Sequence, residues 1–235
     1  MLIDLKEQVW KANLDLGRSG LVIMTFGNVS GIDRRQGLVA IKPSGVSYES
    51  LRPDDIVLVD LEGKVIEGKL NPSSDTPSHL ELYKAFGSIG AVAHAHSEYA
   101  TIFAQAAREI PCLGTTHADY FNGPVPVTRF LRKKEVEKDY EASTGRVIAE
   151  RFKGRINPME MPAVLVAGHG PFCWGKTLAE AVEHNLILEK IAKMALGTIM
   201  VNPAGKSLPE CLLRKHYQRK HGSHAYYGQK KGAWK

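Results

Sequence analysis

The chain has 235 residues, 43% apolar and 24% charged, which fits a globular protein with one substantial core and excludes a disordered or fibrous chain. No apolar run approaches the roughly 20 residues that span a bilayer, and the N-terminus lacks the basic region and apolar core of a secretory signal. Three widely spaced cysteines, Cys112, Cys173 and Cys211, point to reduced thiols and a cytoplasmic location.

Leu2, Leu5, Val9, Ala12 and Leu16 recur at helical spacing and predict a helix over 2–16, stopped by Gly17 and Gly20. Thr25–Ser30 is turn-rich and opens a sheet. Strands are predicted over 38–42 and 56–60, and 64–67 pairs back through Glu62-Gly63 as a hairpin. Residues 71–77 form a loop into a helix over 78–86, with Thr76 as its N-cap and Pro77 at its first position. Residues 91–96 predict a central strand of small apolar residues. Helices are predicted over 98–107 and 134–152, with a short strand over 125–128 between them. Residues 163–167 and 172–174 read as strands joined through a turn at His169. Helices over 177–196 and 208–220 follow. The pattern predicts an α/β fold with a largely antiparallel or mixed sheet flanked by helices.

His94 and His96 stand one residue apart on an apolar strand, so their imidazoles fall on one face. A lone buried His is ordinarily a structural hydrogen-bonding residue. Two together are expensive to bury unless something satisfies both. Asp75 and His169, the latter between glycines that free its backbone, complete a candidate shell of three imidazoles and a carboxylate. That donor set suits zinc. Lys42-Pro-Ser44-Gly45, Ser73-Ser74 ahead of a helix, and Asn28 offer a charge, hydroxyls and amides to a phosphate. Each resembles an ordinary turn, but Ser73-Ser74 adjoins Asp75, which would set a phosphate beside the metal. Asp119, after Thr115-Thr116, is a candidate acid or base, equally readable as a surface-loop residue. Glu141 lies mid-helix, where a solvated face is the plain alternative. The net charge of +6 sits wholly in residues 206–235, which carry eight Lys/Arg against one acid. Such a tail suits nucleic acid, an acidic surface or a phosphorylated small molecule, and is most commonly just a solvated end. Within it His216 and Arg219 share a helical face and would point together at one anion. The interleaved bases and tyrosines would also stack on nucleic acid, but no helix-turn-helix, RNP or zinc-finger pattern accompanies them.

Together, Gly27-Asn-Val-Ser30, Lys42-Pro-Ser-Gly-Val46, Pro72-Ser-Ser-Asp-Thr-Pro77, His94-Ala-His-Ser97, Gly114-Thr-Thr-His-Ala-Asp-Tyr120, Gly168-His-Gly-Pro-Phe-Cys-Trp-Gly175 and Lys215-His-Tyr with Ala225-Tyr-Tyr-Gly-Gln229 resemble the class II aldolase/epimerase family of sugar-phosphate enzymes. The motifs stand in order from residue 2 to residue 229. Lys-Pro-Ser-Gly is shared with the aldolase branch, whereas Thr-Thr-His-Ala-Asp-Tyr and Tyr-Tyr-Gly-Gln are epimerase-like. The resemblance implies a single three-layer α/β/α domain over 1–229 with a mainly antiparallel central sheet; residues 230–235 go beyond it and are expected to be a disordered basic tail. It implies a four-fold homotetramer with active sites between subunits. It implies Zn2+, with Mn2+ or Co2+ as substitutes, on His94, His96 and His169, and Asp75 as a fourth, displaceable ligand. The related aldolases carry Glu there; the shorter Asp favours a ligand or orienting role over a mobile base. Phosphate binding falls to Asn28, Lys42, Ser44, Gly45, Ser73 and Ser74. Acid–base work falls to Asp119 and to a neighbouring subunit's Tyr227, supported by His216, Arg219, Glu141, Thr115 and Thr116. The implied reaction inverts C4 of a phosphorylated ketopentose by breaking and re-forming the C3–C4 bond. A lyase of the same family that releases the aldehyde is the nearest alternative. A nucleic-acid-binding protein using the basic tail is the alternative from another class.

Overall fold

Period-two alternation along the strands decides how this molecule is layered. The structure is a computed structural model and describes residues 2–228. Met1, Gln229 and the tail expected over 230–235 lie outside the described residues. The strands are β1 (Asn28–Asp33), β2 (Leu38–Ile41), β3 (Val57–Asp60), β4 (Val65–Glu67), β5 (Ala91–His94), β6 (Ala163–Leu165) and β7 (Pro171–Gly175). The helices are α1 (Leu2–Arg18), α2 (Thr76–Ala85), α3 (Glu98–Gln105), α4 (Thr115–Ala118), α5 (Lys133–Phe152), α6 (Leu178–Val201) and α7 (Glu210–His221). The strands form one sheet in the order β4-β3-β2-β1-β5-β7-β6, and every ladder in it is antiparallel.

Ala91 and Ala93 of β5, with Val29 of β1, meet Ala12 and Leu16 of α1 and Ala181 of α6. Val92 and His94 point the other way. They pair with Ser30 and Asn28 of β1 and with Trp174 and Phe172 of β7. Trp174 packs on Phe86, which ends α2, and on Phe152, which ends α5. So α1 and α6 cover one face and α2 and α5 the other, while α3 packs on α6 beside β6 and β7. This is the expected three-layer α/β/α arrangement around an antiparallel sheet. Val9 and Leu16 of α1 are fully buried, each contributing about 2 kcal/mol of burial.

Several element boundaries differ from expectation. The strand predicted over 125–128 is only two isolated bridges, Ile110↔Val125 and Val127↔Leu165. Pro124 and Pro126 have no N–H to give a ladder. The cap of α2 is Asp75, not Thr76, and its carboxylate makes no cap bond; the Thr76 hydroxyl instead donates to the Ser73 carbonyl at 2.6 Å. Helix α6 continues past the expected Leu196 to Val201. Gly197 weakens a helix by about 1 kcal/mol without breaking it, and Pro203 then ends it. Helix α5 is kinked at Asp139, which has φ −168° and ψ 70°.

Candidate active site

The pairing of Asn28 with His94 sets an amide and an imidazole on one face at the same end of the sheet. The expected strand through His96 stops at His94. His96 lies in the connection to α3, yet its Nε2 is 3.1 Å from Nε2 of His94. His169 enters from the β6–β7 turn. The three ring centroids are 4.9 Å apart in each pair, and one nitrogen from each ring lies within 4.8 Å of the others. Phe172 stacks on His94 with centroids 4.1 Å apart. Nδ1 of His94 meets the Pro171 carbonyl at 2.8 Å. A carbonyl only accepts, so Nδ1 carries a proton and Nε2 is the nitrogen left facing His96. Burial, reinforced by His94, holds His96 below its ordinary range and His169 down to about 3. Three converging imidazoles, with His96 and His169 held toward the neutral form by burial, fit a divalent metal ion.

Asp75 stands beside this triad but outside the group of mutually close donor atoms. The Asn28 amide donates to its Oδ2 at 2.7 Å and to the Ser73 hydroxyl at 3.0 Å. Burial opposes ionisation of Asp75, but the fields of His94 and His79 and the Asn28 bond outweigh it and leave the carboxyl below its usual range. Asn28 was expected to contact phosphate. Its amide hydrogens are spent on this scaffold, while its Oδ1 is buried without a partner.

The triad shares one cavity of about 370 Å³ with Asn28, Lys42, Ser44, Gly45, Ser73, Ser74, Asp75 and Glu141. The loop that floors it is fixed from a distance. Gly17 has no side chain where a Cβ would lie 2.8 Å from the Tyr48 ring, so Tyr48 sits close against α1. The Tyr48 hydroxyl donates to the Gly27 carbonyl at 2.8 Å. Gly27 itself has φ +89°, and a Cβ there would lie 2.9 Å from the His94 carbonyl. Lys42 is 2% exposed. Its ammonium reaches only the Thr25 and Pro43 carbonyls, at 3.4 and 3.5 Å, and the Tyr48 ring at 4.9 Å. No carboxylate pairs with it among the described residues. Burial pushes it down to about 8, so it is still mostly charged at neutral pH.

Sequence reasoning missed Thr25, Phe26, Pro43 and Tyr140, which also line the cavity. The Tyr140 hydroxyl lies 3.4 Å from Nδ1 of His169. Its only sequence signal was adjacency to Glu141, because the α5 kink that turns it toward the cavity leaves no periodic trace.

Asp119, His216, Arg219 and Tyr227 form a second cluster that shares no lining residue with the cavity. Arg219 grips the Asp119 carboxylate at 2.9 and 2.6 Å, and His216 adds a bond at 3.1 Å. The expected convergence of His216 and Arg219 on one anion is therefore met, by a carboxylate of the same chain. Burial opposes ionisation of Asp119, but Arg219 and His216 outweigh it and hold the carboxyl below its usual range. Tyr227 is 58% exposed, with the Arg219 guanidinium 4.9 Å from its ring centre. Thr115 and Thr116 open α4, and Thr116 lines a separate pocket against α6. His117, between them and Asp119, is buried and donates to the Gly123 carbonyl at 2.8 Å, a structural role.

Residues 7–196 match the class II aldolase and adducin N-terminal domain. The chain belongs to the class II aldolase family. An L-ribulose-5-phosphate 4-epimerase, UlaF, from Salmonella paratyphi B is 53% identical over 226 residues, covering 96% of this chain and 99% of the relative. An L-fuculose 1-phosphate aldolase has the same fold at TM-score 0.78 and 27% identity, covering 92% of this chain and 95% of its own. The L-fuculose-1-phosphate aldolase of Thermus thermophilus aligns at TM-score 0.65 and 27% identity, over 87% of this chain and 98% of its own. The family is metal-dependent and acts on phosphorylated sugars, and the His triad is a group that could hold the ion. No helix among the described residues is long and apolar enough to cross a membrane.

Proposed function

We propose that this class II aldolase family member is a metal-dependent isomerase that interconverts L-ribulose 5-phosphate and D-xylulose 5-phosphate. One observation carries the reading: a buried, carboxylate-free Lys42 and three convergent imidazoles face one cavity. A cation awaiting an anion beside lone pairs awaiting a metal suits a substrate with a phosphate at one end and a ketone at the other. The Salmonella relatives, named for this activity, support the choice of substrate.

Lys42 with Ser44, Gly45, Ser73 and Ser74 holds the phosphate, and Asn28 fixes Ser73 and Asp75 in place. His94, His96 and His169 would hold the ion, which we take to be zinc, with Asp75 as the displaceable fourth ligand. When bound, the ion supplies Lewis acidity to the ketose carbonyl. C4 has no acidic proton because the carbonyl is at C2, so inversion there needs cleavage and re-formation of the C3–C4 bond. The clamp on the phosphate keeps the aldehyde fragment in the cavity while it turns. Asp119 and Tyr227 move the C4 hydroxyl proton, one for each face, with His216 and Arg219 orienting Asp119, and Glu141, Thr115 and Thr116 supporting.

Within one chain Asp119 and Tyr227 stand outside the cavity, so the reading includes a homotetramer whose sites are completed by a neighbouring subunit. A cytoplasmic location and a single catalytic domain over 1–229 belong to the same proposal. Arg219 is already paired with Asp119, and no nucleic-acid-binding motif accompanies the basic tail. The test is a coupled assay for D-xylulose 5-phosphate from L-ribulose 5-phosphate, with and without chelator. A single ketose product that disappears with chelator supports the epimerase, while accumulating free aldehyde supports a lyase instead.

A further inference from the structure

We propose that Tyr140 is a positioning residue for His169 and a hydrogen-bond donor to the bound sugar phosphate. A ligating His works best when its other ring N–H is given to a fixed acceptor, which sets both tautomer and ring orientation. His94 has such an acceptor in the Pro171 carbonyl at 2.8 Å. For His169 the group facing Nδ1 is the Tyr140 hydroxyl at 3.4 Å, with the two rings near-parallel at 26°.

A phenol and an imidazole nitrogen can bond in either sense. The triad decides the sense. Nε2 of His169 must keep its lone pair to serve as a ligand atom, so Nδ1 carries the proton and the phenol oxygen accepts it. The phenol's own proton is then not used on His169, and the Thr144 hydroxyl beside it already donates to the Tyr140 carbonyl at 3.0 Å. Tyr140 lines the cavity and is 38% exposed, so that proton is available to an oxygen of whatever the cavity holds. The hydroxyl thus couples ligand orientation to substrate occupancy. Its placement depends on the α5 kink. Asp139 leaves helical geometry there and is tied back by Arg146 at 3.1 Å, which itself bonds the Ser143 hydroxyl at 2.8 Å.

The substrate half of this inference rests on the proposed activity, whereas the His169 half does not. Tyr140→Phe removes only the hydroxyl from a half-exposed side chain. In the full-length protein loaded with Zn2+, competition against a chelator should release the metal from the variant about ten-fold more readily, the lower end of what such partners contribute. Tyr140→Gln, which restores an acceptor for the Nδ1 proton, should recover most of that retention. With L-ribulose 5-phosphate, KM of Tyr140→Phe at saturating Zn2+ should rise about ten-fold, the effect of about 1.4 kcal/mol. Equal chelator midpoints for wild type and Tyr140→Phe would overturn the bond to His169. An unchanged KM would overturn the donation to substrate. A wild type that binds Zn2+ but leaves L-ribulose 5-phosphate untouched would refute the proposed activity alone, with the chelator result still standing.

Discussion

Replacing Lys42 by Met should make the ligand-free protein more stable and the enzyme worse. Burial has pushed Lys42 from its ordinary value of 10.5 to about 8. At 1.36 kcal/mol per unit, that is about 3 kcal/mol against the charged form. The Tyr48 ring, 4.9 Å from the ammonium, offsets about 1 kcal/mol by a cation–π attraction. The net gain from removing the charge is therefore about 2 kcal/mol, or about 4–8 °C in melting temperature for a chain of this size. Below pH 8 the amine is protonated both folded and unfolded, so the whole penalty bears on the fold. Between about pH 8 and about 10.5 the unfolded chain binds more protons than the folded one, so wild-type stability rises through that window. The variant should lack this rise. Inorganic phosphate should raise the melting temperature of the wild type and leave the variant unmoved. Losing a charge-assisted bond of about 1.5–3 kcal/mol should raise KM for L-ribulose 5-phosphate about 10- to 150-fold. Thermal denaturation across pH 7–10, with and without phosphate, reads all of this. A Lys42→Met protein that melts below wild type at pH 7 and keeps its KM would refute the assignment of Lys42 as a strained anion site.

His96→Asn should empty the metal site, and one retained equivalent per chain by metal analysis would contradict the triad. Asp119→Asn and Tyr227→Phe should each keep the metal and lose most turnover; full epimerase activity in both would remove them from the chemistry. Mixing His96→Asn with Tyr227→Phe and reassembling the subunits should restore about a quarter of wild-type activity, because one site in four then pairs an intact cavity with an intact tail; no recovery would place each site within one chain. Glu189, 8% exposed, accepts the Tyr99 and Ala100 amides at 2.9 and 3.0 Å, so Glu189→Gln should set an amide donor against a backbone N–H and cost about 1–3 kcal/mol in urea denaturation.

What the sequence showed well is what local pattern encodes. Alternation along residues 91–94 places His94 on the opposite face from Ala91 and Ala93, and the strand bears this out. The convergence of His94 and His96 was legible for a reason that only half holds. The ladder ends at His94, so His96 reaches the cluster from a connection and not as the next-but-one residue of a strand. The end of α6 was legible only as far as Leu196; Gly197 does not stop the helix, which runs on to Val201 ahead of Pro203.

What stayed hidden is what depends on distant docking. Nothing near residue 119 says that its carboxylate is gripped by a guanidinium 100 positions later. Nothing near residue 140 says that a kink turns a phenol toward His169. The two cationic motifs show the difference most clearly. Lys42-Pro-Ser-Gly and the His216–Arg219 face both read as anion sites, with equal justification from residue type and spacing. In the folded chain Arg219 is already matched by Asp119, while Lys42 has carbonyls at 3.4 Å or beyond and an aromatic face. A buried cation that the fold leaves unmatched carries a standing cost, and that cost is recovered only when an anion enters. Motif and spacing identify groups able to bind; the unmatched charge singles out Lys42 as the one still free to do so.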